Sequence, residues 1–138
     1  MTWTPTWSHE TTLAGDLRSA AEAREFVRGH LDGHQLSGLV DDVRLVASEL
    51  ATNAVVHAQT PFTITLEGDE RSTLLTVRDG STVLPIQLAA QVLDSSGRGL
   101  VILEQLAQRW GVTTDTGGTK SVWAWFDAPS HDPLPTTW

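Results

Sequence analysis

At 138 residues and 40% hydrophobic composition the chain is sized for one domain around one core, and none of its apolar runs is long enough to span a membrane. A formal charge of −8, with dispersed lysines and arginines, argues against a general nucleic-acid binder, which needs a basic patch. The absence of cysteine excludes disulfides, thiolate catalysis and thiolate metal sites.

The segment Met1-Thr2-Trp3-Thr4-Pro5 has neither the basic nor the apolar region of a signal peptide, so a cytoplasmic location is expected. Residues 3–12 alternate large and polar side chains, with Trp3 and Trp7 prominent, and predict a strand. Residues 15–31 predict a helix with Leu17, Ala20, Ala21, Ala23, Phe26, Val27 and Leu31 on its apolar side and Gly33 at its end. Arg18, Arg24 and Arg28 form a small basic group on that helix, readable as a solvated face or as a surface for a partner or nucleotide. His30 and His34 have the spacing of a metal pair, but Gly33 falls between them and no third ligand is evident.

Ser37 is placed to cap a second helix whose apolar positions Leu39, Val43, Val46, Leu50 and Ala54 fall within a narrow arc. Glu49, Asn53 and His57 recur every four residues, so they form one polar stripe at the margin of that arc. A carboxylate, an amide and an imidazole can activate a hydroxyl, ligate a hard cation or hydrogen-bond a substrate. His57 is equally readable as a core or helix-end histidine.

Thr60-Pro61 breaks the helix, and Phe62, Ile64 and Leu66 then alternate with polar residues as a half-buried strand. Gly68-Asp69-Glu70-Arg71 reads as a turn. The following strand carries Leu75, Val77 and Asp79 on one face, which puts an acid on the core side, where a carboxylate needs a partner. Asp79 is either a turn cap beside Gly80 or a carboxylate at the floor of a pocket. Residues 80–96 predict a long loop, with a short helix around Ile86–Leu93.

Gly97-Arg98-Gly99-Leu100 opens a helix with Leu100, Leu103, Leu106 and Ala107 on one face. Such a start is either an ordinary glycine-containing one or an anion site built on unpaired N–H groups. No GxxxxGK[ST] sequence is present, so a P-loop is excluded. Strands Val112–Thr116 and Lys120–Phe126 flank a Gly117-Gly118 turn, and Trp110, Trp123 and Trp125 are assigned to core and sheet packing. One domain is expected over residues 1–127, followed by a Pro-containing flexible tail, 128–138. Hairpins and grouped helices favour an α+β fold, a two-layer α/β sandwich with a mixed, mostly antiparallel sheet and helices on one face.

The order of these motifs resembles that of the GHKL, or Bergerat-fold, ATPases over roughly residues 12–126, and within them the small anti-sigma factor serine kinases. Glu49-Leu-Ala-Thr-Asn53-Ala-Val-Val-His57-Ala58 resembles the family's N box, and Val77-Arg78-Asp79-Gly80 its first glycine box. Gly97-Arg98-Gly99-Leu100-Val101-Ile102 resembles the second glycine box, and Gly118-Thr119-Lys120-Ser121-Val122-Trp123 the closing strand. The resemblance implies ATP and Mg²⁺ as cofactors. Asn53 would ligate the metal, Glu49 would be the general base, and Asp79 would bind the adenine amino group. Gly97, Arg98 and Gly99 would hold phosphates, residues 84–96 would form the ATP lid, and His57, Gly80, Leu100 and Thr119 would complete the pocket. The implied partners are a sigma factor, an anti-sigma factor antagonist and a second copy of the chain, with no direct nucleic-acid or membrane contact. One departure stands out. The fuller first glycine box reads Asp-x-Gly-x-Gly, whereas Asp79 is followed by Gly80, Ser81, Thr82 and Val83. That substitution favours, as an alternative, a non-catalytic interaction module of the same fold.

Overall fold

A computed structural model of the chain describes residues 2–58, 60–80, 99–114 and 118–128. The strands are β1 (Trp7–Leu13), β2 (Phe62–Gly68), β3 (Ser72–Asp79), β4 (Arg109–Thr114) and β5 (Lys120–Asp127). They form one five-stranded sheet in the order β1-β2-β3-β5-β4, and every neighbouring pair is antiparallel. The helices are α1 (Ser19–Gly33), α2 (Val40–Asn53) and α3 (Gly99–Leu106). This is the expected α+β class, with a sheet that is antiparallel throughout among the described residues.

The core lies between the helices and one sheet face. Alternation turns Phe62, Ile64, Leu66, Leu75, Val77, Val122, Ala124 and Phe126 inward. They meet Ala23, Val27 and Leu31 from α1, Val43, Val46 and Leu50 from α2, and Ile102 and Leu103 from α3. Each large side chain contributes about 1.5–3 kcal/mol by leaving water. Trp110 packs against this core, but Trp123 and Trp125 sit half-buried on the opposite face, away from the helices. There they line a groove of about 450 Å³ with Leu74, Thr76, Arg109, Thr113 and Ser121.

Local chemistry explains the shifted boundaries. Helix α1 starts at Ser19 instead of residue 15 because Gly15 adopts φ +82°, and a Cβ there would lie 2.4 Å from the Thr60 carbonyl oxygen. The Ser19 hydroxyl accepts the N–H groups of Gly15 and Asp16, closing the turn before the helix. At the other end the N–H of Leu36 bonds to the Leu31 carbonyl and that of Gln35 to the Asp32 carbonyl, a Schellman closure. Gln35, at φ 62°, takes the left-handed position that the sequence assigned to a glycine. Ser37 lies within a 3₁₀ turn (Ser37–Leu39), and no side-chain cap bond closes its start, so the expected serine cap is not formed. The β2–β3 turn is as expected. The Asp69 carboxylate accepts the N–H groups of Arg71 and Ser72 and, through its other oxygen, the indole N–H of Trp3.

Gly33 does not part His30 from His34: α1 runs through it, and His34 caps the helix. His9, from β1, joins them. Its ring stacks on His30 with centroids 3.8 Å apart, and its Nε2 lies 2.8 Å from His34 Nε2. Trp7 stacks on His34 and Phe26 meets His30 edge-on. Burial and then repulsion from His9 hold the His30 and His34 imidazoles below their ordinary value, with His34 adding to the effect on His30. No group of three or more His, Asp or Glu side chains among the described residues is arranged to hold a metal ion. No helix among them is long and apolar enough to cross a membrane.

Candidate functional site

The sheet register carries the site. Leu13, Phe62, Asp79, Lys120 and Thr114 form one row across the five strands. Two other segments reach this end of the molecule, the end of α2 and the start of α3. α2 finishes at Asn53 shortly before the chain enters β2 at Phe62. The chain leaves β3 at Asp79 and re-enters as α3 at Gly99. The far end of α3 is tied to the opposite end of the sheet, where the Gln108 N–H donates to the Trp125 carbonyl. Asn53, Asp79, Lys120 and the start of α3 are therefore gathered at one end of the helix–sheet interface.

Glu49 and Asn53 occupy one line of α2, four residues apart, as their spacing required. Asn53 is buried at 5% exposure and Glu49 is half-exposed. A buried amide beside a half-exposed carboxylate suits an inner ligand and an outer proton acceptor. After Asn53 the chain winds into a π-helical turn, Ala54–Ala58. Its hydrogen bonds skip five residues instead of four, a feature frequent at functional sites. His57 lies within that wider turn.

Asp79 ends β3 facing the core at 6% exposure, so the alternation argument placed it correctly. The partner it required is Lys120, directly opposite in the β3–β5 register, with Nζ 3.4 Å from Oδ2. Lys120 is itself only 4% exposed. The sequence reading placed Lys120 in a strand without assigning it a role. The signal was available: Lys120 is in phase with Val122, Ala124 and Phe126, which puts it on the core face.

Gly80 follows β3 and is exposed, Thr119 is half-buried immediately before β5, and Gly99 and Leu100 form the first turn of α3. Gly97, Arg98, the expected lid over 84–96 and the short helix around Ile86–Leu93 lie outside the described residues, as does the tail from residue 129. A concavity of about 780 Å³ sits elsewhere. It is lined by Thr6, the β2–β3 turn and Asp127, at the end of the sheet opposite Asp79.

Residues 13–125 match the family model of the histidine kinase-like ATPase domain. No curated protein matches the chain in sequence. Among solved structures the chain resembles the RsbU and RsbW domains of Rv1364c from Mycobacterium tuberculosis, with a TM-score of 0.65 and 18% identity. The match covers 91% of this chain and 34% of that one, so this chain spans about a third of its length.

Proposed function

Because this chain belongs to the histidine kinase-like ATPase domain family, we propose that it is an ATP-binding regulatory protein that phosphorylates a serine or threonine of an anti-sigma factor antagonist and thereby controls a sigma factor. The observation that carries this reading is the line of Glu49 and buried Asn53 on α2, at the end of the sheet where Asp79 closes β3.

The donor set fits the nucleotide. Asn53 offers the amide oxygen that a hard cation such as Mg²⁺ accepts as one ligand among several waters. When bound, the cation neutralises phosphate charge. Asp79 accepts the amino group of adenine. Gly97, Arg98 and the first N–H groups of α3, which begins at Gly99, would hold phosphate oxygens. Glu49, half-exposed, would take the proton of an incoming hydroxyl. Phosphoryl transfer depends mainly on positioning and charge stabilisation, so this short list of groups suffices. The RsbW domain in the similar Mycobacterium tuberculosis structure and the chain's own N box support the anti-sigma assignment.

The test is incubation of the purified chain with γ-labelled ATP, Mg²⁺ and candidate antagonist proteins. The expected result is label on an antagonist serine or threonine. Glu49→Ala should lower transfer by about 10²–10⁴-fold, the usual worth of a general base, while leaving Mg-ATP affinity near wild type. Transfer at the wild-type rate by Glu49→Ala would remove Glu49 as the base, and no transfer by the wild type with any antagonist would sink the kinase reading.

A second reading is a non-catalytic module in which nucleotide only gates partner binding. The altered glycine box after Asp79 favours it. Tight Mg-dependent ATP binding without transfer would select it.

A further inference from the structure

Burying a lysine against an aspartate is a weak source of stability. Desolvating the two charges roughly offsets their attraction, and an apolar pair of similar volume does as well or better. Lys120 and Asp79 are nevertheless both buried, cross-strand neighbours at the end of the sheet assigned to the nucleotide. We propose that Lys120 is a base-reading residue: its ammonium donates to a ring nitrogen of adenine while Asp79 accepts from the adjacent exocyclic amino group. The inference rests on the nucleotide reading above.

The donor inventory supports it. An ammonium carries three N–H donors and no acceptor, and a carboxylate carries only acceptors. An ammonium has three donor sites and a carboxylate about four acceptor sites, so the 3.4 Å contact between Nζ and Oδ2 uses only part of what either group offers. The pair therefore presents a donor and an acceptor side by side. Adenine offers the complement, an amino donor flanked on either side by a ring-nitrogen acceptor, N1 or N7. A lone carboxylate reads only the amino group. A carboxylate with an ammonium beside it reads two neighbouring atoms of one base edge. A base lacking the ring nitrogen would leave a buried ammonium donor facing a C–H group, which sites built on hydrogen bonds reject strongly.

The experiment is calorimetric titration of the full chain with the Mg complexes of ATP, 1-deaza-ATP and 7-deaza-ATP, for wild type and Lys120→Met, with circular dichroism confirming the fold of each. The wild type should bind one of the two deaza analogues at least about tenfold more weakly than ATP, the loss of one charged hydrogen bond. Lys120→Met should bind all three alike, and ATP more weakly than the wild type does. Equal wild-type affinities would make Lys120 a counter-ion only and overturn the proposal, and this comparison needs no variant to fold. Tighter ATP binding by Lys120→Met would overturn it too, because that is the behaviour of a competing cation. Failure of all three nucleotides to bind the wild type would bring down the nucleotide reading itself, and this inference with it.

Discussion

Asp79 and Lys120 set the energetic stakes at the scale of single residues. Each is held in the interior by the other's charge and by its further interactions, so removing one takes the counter-charge from its partner. Asp79→Leu or Lys120→Met should therefore each lower the unfolding free energy by about 3–5 kcal/mol. The double variant Asp79→Leu/Lys120→Met, with an apolar pair, should recover most of that. Urea denaturation of the four proteins checks this, and purely additive losses in the double variant would refute the coupling. Asp79 was legible in advance because strand alternation has a period of two and two apolar phase markers, Leu75 and Val77, fix it. Lys120 was overlooked because a lysine at the first residue of a strand reads as solvated until the register shows a carboxylate opposite.

Elements were legible where one rule governed them, and misplaced where two competed. The apolar arc of α2 and the alternation of β2 fixed those elements, because burial gives each a single allowed face. The π-helical turn after Asn53 was hidden, because it changes the pitch and sequence spacing carries no mark of it. The junction of β1 and α1 was also hidden, since His9 is 21 positions before His30 and only the docking of strand on helix brings them together. That junction makes stability depend on pH. The folded state holds His30 and His34 neutral below their ordinary value of 6.5, whereas the unfolded chain takes up protons there. Unfolding thus binds protons, and stability present above pH 6.5 is lost as pH falls through 6.5 toward the lowered folded values. The urea midpoint should be higher at about pH 7.5 than at about pH 5.5, a window above the carboxylate range. A midpoint flat across that window, or a His30→Asn/His34→Asn variant with the wild-type slope, would contradict this.

Over the whole molecule, one antiparallel sheet with helices on a single face places a helix end, two strand ends and a helix start at one edge of the core. The residues concerned are 53, 79, 99 and 120, far apart in sequence, so this edge is assembled by topology and not by any contiguous motif. Motif order in the sequence was enough to expect this architecture. It was not enough to show that the Asp79 end of the sheet contains a buried ion pair, because that depends on cross-strand register. The central claim is that this edge holds Mg-ATP through Asn53. Its most direct test is the calorimetric affinity of the full chain for ATP with and without Mg²⁺, in wild type and Asn53→Ala. The account predicts Mg-dependent binding by the wild type, weakened at least about tenfold in Asn53→Ala through the lost ligand. Wild-type binding that is indifferent to Mg²⁺, or an Asn53→Ala variant that binds Mg-ATP as tightly as wild type, would contradict it.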